Sequence, residues 1–591
     1  MTTHLIAILA PLDWIVIVLF LVIILSIGLY YRNQAKQSLE AFFLGGRNLP
    51  WWIAGTSMVA TTFAADTPLA ITEFVAESGI AGNWIWWNML AGGLLTTFFF
   101  AKLWRRANIM TDVEFIEIRY AGQAAKILRV FKALYLGLFM NCLIIGWVNL
   151  ALVTILEVFF ELSPQAALNY TALLMLLVML YASMSGLLGV AITDTLQFVV
   201  AMVGCLLLAI FVVNDEKIGG IAQLKASLPA EAFNFFPQIQ STQSLKSSLN
   251  TLSIGLGSFL AYISIWWTSW YPGAEPGGGG YIAQRIMSTR DESHAIKATL
   301  FFQIAHYAIR PWPWIIVGLC SLVLYPELGA DEKRLGFVYA MRDFLPVGLK
   351  GLLLVAFLAA YMSTVSTQLN WGASYLVGDI YKRLIRPVQR NKNEKHYVVV
   401  SKITTGLIAL IALGVTTQLK NISSVWEFII ECGAGLGLVL ILRWYWWRIN
   451  AWSEITATVV PFVAYALAKF SFEWVFPNSF FFTVGVTTVS WLLVTFITSP
   501  TPQDTLLSFY KRVRPQGAWQ PIRVQLKDTP QGASVLILLA CWICSVIIVY
   551  AALFAVGSFI LLQWEEGLLY CFLILLASIG LSIAAKKHSL F

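Results

Sequence analysis

Between Ala359 and Asn370 the chain reads Ala-Ala-Tyr-Met-Ser-Thr-Val-Ser-Thr-Gln-Leu-Asn. Ser363, Ser366 and Thr367 stand at i, i+3 and i+4, so on a helix three hydroxyls share one face, with Ala360 and Thr364 beside it. Neutral hydroxyl and carbonyl oxygens are hard ligands that suit a small alkali cation; the alternative is that they bond back to their own helix and pack. A second unusual stretch runs from Gly55 through Ala60, Thr62 and Phe63 to Asp66, Thr67 and Pro68. Small and hydroxyl residues crowd it, and an acid and a proline end it. A helix unwound here frees backbone carbonyls for a cation, whereas a kinked helix in tight contact with its neighbours needs no ion. Asp194 is either a carboxylate in contact with interfacial water or a further cation ligand. His306 and Arg310 lie one turn apart ahead of Pro311 and Pro313. Arg310 either meets a solute or pairs with Glu157, Asp66, Glu427 or Glu431.

The segments that must carry these groups are apolar. Of 591 residues 59% are hydrophobic and only 12% charged, with a mean hydropathy of +0.75, too few charges to cover a soluble surface. About fifteen apolar runs, most near 20 residues long, each match the thickness of a hydrocarbon core. The net charge of +8 does not form a patch for nucleic acid. It sits in alternate short connections, such as those holding Arg32, Lys36 and Arg47, then Arg105 and Arg106, then Lys382 and Arg383. By the positive-inside rule this places the N-terminus outside and the C-terminus in the cytoplasm. The first run lacks a basic leader and a cleavage site and reads as a retained helix. Short loops and the lack of a transit peptide suit a bacterial inner membrane. A charge in such a span costs about 2.5–3.5 kcal/mol on insertion scales, so the acids and bases named above are the places to look for function. Cys541 and Cys544 have redox spacing but sit inside an apolar helix, where packing explains them.

At these residues the chain resembles the sodium:solute symporter family. The likeness is carried by Phe42-Phe43-Leu44-Gly45-Gly46-Arg47 ahead of Trp51-Trp52, by Thr193-Asp194 with Gln197, by Gln284-Arg285, and by the stretch 359–370 leading to Asp379. It covers roughly 40–450. The resemblance implies an all-α, LeuT-type membrane protein in which two five-helix repeats of inverted topology, about 51–213 and 250–447, form a core at 51–447. Residues 1–50 would supply one helix before the core and 448–591 four after it. It further implies a sodium site built from the carbonyls of Ala60, Phe63 and Ala360 with the hydroxyls of Ser363 and Thr364. A second sodium in some members would use Asp194, Ser363, Ser366 and Thr367. Sodium is then the coupling ion and no other cofactor is implied.

For the solute, the resemblance and the intramembrane polar groups nominate Thr62, Asp66, Thr67, Trp87, Asn88, Trp266, Trp267, His306, Arg310, Glu427 and Glu431. The sixth core helix should break near Ser264–Pro272, ahead of the glycine run 277–280, which is longer than is usual in the family. Tryptophan faces would suit a sugar and Arg310 an amino acid or carboxylate, so the solute stays open among these. The function implied is sodium-coupled symport of a small polar organic solute into the cell by alternating access. Proton coupling through Asp66, Asp194 or Glu431, or a sensor on the same scaffold, are the rivals. A membrane-embedded metalloenzyme is disfavoured because His4, His294, His306, His396 and His588 are dispersed without ligand spacing.

Overall fold

The computed structural model describes residues 9–240, 253–274, 276–386, 394–419, 422–526 and 534–586. Glu275, His4 and His588 lie outside them. Almost all of the described chain is helical, as an apolar solvent demands: a helix satisfies its own backbone and a free sheet edge does not. One ribbon of two three-residue strands, Gln238–Gln240 and Ser253–Gly255, lies in a connection.

In chain order the helices are α1 (Pro11–Ala35), α2 (Trp51–Thr61), α3 (Thr67–Ser78), α4 (Gly122–Phe160), α5 (Pro164–Val213), α6 (Leu256–Thr268), α7 (Gly280–Ser288) and α8 (Glu292–Leu324). There follow α9 (Leu349–Ile385), α10 (Lys395–Thr416), α11 (Ile422–Cys432), α12 (Gly437–Tyr445), α13 (Ala451–Ser471), α14 (Asn478–Ile497), α15 (Val535–Ile560) and α16 (Trp564–Lys586). Between α3 and α4 the short helices Trp84–Trp87, Met89–Leu95 and Ala101–Ala107 follow one another. Among the described residues ten helices are individually long and apolar enough to span a bilayer, and α11 with α12 form an eleventh span bent by 42°. The protein is a multi-pass membrane protein.

Three departures from regular helix matter. The second apolar run is two helices, with Thr62–Asp66 unwound between them. The sixth core helix breaks after Thr268, and helix resumes at Gly280. The run expected at 424–447 also breaks, between Cys432 and Gly437, which the sequence reading did not anticipate. The runs expected at 165–184 and 188–213 are two helices that meet at Gly186, whose φ of 60° turns the chain back so that the Tyr181 hydroxyl meets Thr193.

Buried amides fasten the centre. Asn149 of α4 donates to Thr416 Oγ1 of α10 at 2.9 Å and accepts from Tyr361 of α9 at 2.8 Å. Asn141 donates to the Gln368 carbonyl at 2.8 Å, made possible because Gly372 leaves room for it. Such bonds and small-residue contacts replace the hydrophobic driving force that is missing between helices in lipid.

At the end of the bundle where α2 begins, arginines tie connection to connection. Arg47 reaches the Ile109 carbonyl at 2.9 Å, Arg105 the Thr289 carbonyl at 2.8 Å, and Leu49 pairs by backbone with Ser288 at 3.0 Å. Asp112 accepts from the N–H of Gly280 at 2.9 Å; burial pushes its carboxyl up to about 6, so the bond is charge-assisted at neutral pH. This basic end is closed.

At Gly186 an added Cβ would stand 2.9 Å from the Ala35 Cβ and 3.1 Å from the Phe42 carbonyl, at a φ that β-branched residues avoid. Gly186→Val is therefore expected to destabilise the protein by about 1–3 kcal/mol or more, read as a lowered melting temperature of the purified protein in detergent.

Candidate functional site

The break between α2 and α3 faces the hydroxyl ladder of α9. Thr364 Oγ1 donates to the Thr61 carbonyl at 3.0 Å, and the hydroxyls of Thr61 and Thr367 meet at 3.1 Å. Ala60, Phe63, Ala360, Ser363 and Thr364 are all at most 4% exposed. Two stretches some three hundred residues apart thus put backbone and hydroxyl oxygens into one buried spot. The reason is local: α2 ends where Ala60 accepts from the Phe63 N–H at 3.1 Å, and no later N–H continues the ladder.

Beside it lies an ion pair. Asp194 accepts from Ser57 at 2.5 Å and from Ser363 at 2.7 Å, and its carboxylate stands 3.6 Å from the Arg285 guanidinium. Arg285 also donates to Ser57 at 3.1 Å, to Gln284 at 2.9 Å and to Thr367 at 2.6 Å. Ser366 turns away, donating to the Ser363 carbonyl at 3.2 Å. Arg285, which entered the sequence analysis only as part of the Gln284-Arg285 likeness, is fully buried here. Ser57, one turn before Ala60, was missed as its partner.

A cavity of about 690 Å³ opens from the break. Its floor includes Thr62, Asp66, Thr67, His306, Arg310 and Gln368. Trp86, Trp147, Tyr271 and Trp426 stand along its wall, and Glu77, Arg334, Glu427 and Lys469 lie toward the end of the bundle away from Arg47. Thr62 Oγ1 meets His306 Nδ1 at 2.8 Å, and Arg310 donates to Thr62 Oγ1 and to the Val59 carbonyl, both at 3.1 Å. An Nδ1 proton on His306 lets Nε2 accept from Arg310, 3.4 Å away. The guanidinium also lies over the rings of Phe63 and Trp314, at 5.9 and 5.3 Å. Its contacts with Thr62, Val59, His306, Phe63 and Trp314 are all with neutral groups, and among the described residues no carboxylate lies within 4 Å of it.

Of the nominated solute residues, Thr62, Asp66, Thr67, His306, Arg310 and Glu427 line this cavity; Trp87, Asn88, Trp266, Trp267 and Glu431 do not. Trp86 takes the wall position in place of Trp87, because one residue rotates the side chain by about 100° around a helix. Asn88 spends its amide on the carbonyls of Trp84 and Ile85. Trp266 packs on Trp542, and Trp267 is 38% exposed on the outside of the bundle. Glu431 is buried near Glu427 and Ser479, while Glu427 pairs with Lys469 at 3.2 Å. Among the described residues no three His, Cys, Asp or Glu side chains are grouped as metal ligands.

Comparison with known proteins places this architecture. The model of the sodium:solute symporter family matches residues 42–459. The chain belongs to that family. It is a sodium-coupled solute symporter. A sodium/glucose cotransporter of Vibrio parahaemolyticus is 25% identical to it over 77% of this chain and 84% of its own. A sodium/sialic acid symporter of Proteus mirabilis is 27% identical over 81% and 93%. Among solved structures, a substrate-bound, outward-open sodium-coupled sialic acid symporter superposes with a TM-score of 0.67 at 22% identity, covering 83% of this chain and 99% of that one, a match of fold.

The Asp194–Arg285 pair of this symporter gives a direct test. Removing one partner of a buried pair leaves an uncompensated charge, so Arg285→Met is expected to cost about 3–5 kcal/mol. The double variant Arg285→Met with Asp194→Leu should recover part of that loss in a thermal melt.

Proposed function

We propose that the coupling sodium binds where the α2–α3 break meets α9, held by the carbonyls of Ala60, Phe63 and Ala360 and the hydroxyls of Ser363 and Thr364. The observation that carries this is the 3.0 Å contact between Thr364 Oγ1 and the Thr61 carbonyl, which brings the hydroxyl ladder against freed backbone oxygens. Sodium needs such oxygens and little counter-charge, and this spot has both.

A single sodium fits the charges best. Asp194, the one acid of the second set, already faces Arg285, and Thr367 is engaged by that guanidinium. A second cation among Asp194, Ser363, Ser366 and Thr367 would have to compete with a fixed positive charge a few ångströms away. The solute, a sugar, amino acid or carboxylate, occupies the cavity above Thr62, Asp66, His306 and Arg310.

The core is two inverted repeats, about 51–213 and 250–447, within a set of about fifteen spans. Residues 1–50 come before it and 448–591 after. With the basic end in the cytoplasm of a bacterial inner membrane, the N-terminus lies outside and the C-terminus inside. The cavity then faces outward, ready for sodium and solute at the outer surface, and uptake follows when the basic end opens.

Thr364→Ala removes one hydroxyl ligand. In proteoliposomes with imposed sodium gradients it should raise the sodium concentration for half-maximal uptake about tenfold, on the order of 1.4 kcal/mol, with expression and melting temperature little changed. Uptake that keeps its full sodium response in this variant, or that follows an imposed pH gradient instead, rejects the assignment in favour of proton coupling.

A further inference from the structure

Asp66 and Arg310 line the same cavity floor and are 2% and 1% exposed. They carry opposite charges, yet no ion pair within 4 Å joins them, and among the described residues neither has another charged partner at that distance. Oδ1 of Asp66, Nε of Arg310 and Oε1 of the neighbouring Gln368 each lack a hydrogen-bond partner. Several buried charges elsewhere in the bundle are paired, Asp194 with Arg285, Asp379 with Arg129, and Glu454 with Lys132 and with Arg443 at 2.9 Å, while Arg119 and Asp112 are met by backbone carbonyls and a backbone N–H. An unmatched buried charge costs several kcal/mol, so two of opposite sign on one cavity mark a place for a ligand that compensates both.

Above this floor the wall is apolar and aromatic. Ile85, Met89, Ile144 and Val148 stand with Trp86, Trp147, Tyr271 and Trp426 before charged groups reappear at the mouth. A neutral sugar could lay a face on the tryptophans but brings no charge to compensate Asp66 and Arg310. A compact dipolar head with an apolar body meets both regions.

Resting on the symport reading above, we infer that the solute is a zwitterionic amino acid with an apolar side chain. Its carboxylate pairs with Arg310, its ammonium with Asp66, and its side chain lies among Trp86, Trp147, Tyr271 and Trp426. Gln368 Oε1 is placed to take a second ammonium hydrogen. Guanidinium is the cation suited to a carboxylate, since its planar fork can offer two parallel donors. The volume, within the range of small-molecule sites, accommodates even a large aromatic amino acid.

Proteoliposomes of the full-length protein test this with radiolabelled L-leucine, L-phenylalanine and L-proline, and with glucose and a sialic acid as comparison arms. Sodium-driven uptake of at least one amino acid is expected, with competition by its deamino and its decarboxy analogue at least about tenfold weaker than by the amino acid itself. Asp66→Asn and Arg310→Gln should each raise KM for that amino acid about tenfold or more; if a variant fails to fold, the analogue competition on the natural protein still decides. Equal competition by the deamino acid overturns the role of Asp66. Sodium-driven uptake of glucose or the sialic acid, with none of the three amino acids transported, overturns the inference while leaving sodium symport standing. Uptake of any probe that ignores sodium overturns the symport reading itself.

Discussion

A helix that stops inside a hydrocarbon layer leaves carbonyls and N–H groups that no water can satisfy, and the fold is organised around meeting that requirement. At the first break the demand is met partly within the turn, by Phe63 to Ala60 and Thr67 to Ala64, and partly from outside, by Thr364 to Thr61 and Arg310 to Val59. The breaks near 269 and 433 satisfy each other. Trp270 N–H donates to the Gly433 carbonyl at 3.1 Å, Gly435 N–H to the Thr268 carbonyl at 2.7 Å, and Ser269 to the Ile430 carbonyl at 2.7 Å. Gly433 is crowded by the Trp270 backbone, which would stand 2.4 Å from an added Cβ. Two interrupted helices therefore hold one another open.

This explains which features were legible in the sequence. The hydroxyl ladder at 363–367 could be read because helical periodicity alone puts those oxygens on one face. The break at 62–66 was announced by Asp66, Thr67 and Pro68. The break at 433–436 was not read, although Gly433, Gly435 and Gly437 are the kind of glycine cluster that marks close backbone approach. The solute residues were harder still. Trp86 and Trp87 are indistinguishable in type, and only the local path of the helix decides which ring reaches the cavity. The pairing of Arg285 was not legible because its partner, Asp194, lies 91 positions earlier.

The closed and open ends differ in the kind of contact they use. At the basic end, Arg106 grips Glu292 through two bonds of 2.6 and 2.9 Å, and Arg119 donates to the carbonyls of Arg443, Trp446 and Trp447. Lys132 and Arg443 converge on Glu454 of α13, bringing a helix outside the proposed repeats into the closure. Around the opposite mouth the pair of Lys469 with Glu427 is exposed, and exposed pairs contribute little. At the basic end the bonds of Lys132, Arg443 and Glu454 are buried, whereas Arg106–Glu292 is partly exposed.

The proposed ion and solute sites share one short piece of backbone, which gives a physical route for coupling. Val59 accepts from both Thr62 Oγ1, at 2.9 Å, and Arg310, while Thr62 in turn accepts from Arg310 and meets His306. Ala60 and Phe63, the proposed sodium carbonyls, interleave with Val59 and Thr62 across the last turn of α2 and the start of the break. A cation that fixes the first pair of carbonyls must also fix the peptide planes that position the guanidinium. Without it, the turn has few intrahelical bonds to hold its shape, and the solute site would have to be ordered at the solute's own expense. A coupling of about 1–3 kcal/mol, ordinary for linked sites, needs no more than the ordering of one or two residues. By reciprocity, a solute seated on Arg310 would tighten sodium by the same factor, so neither would cross efficiently alone.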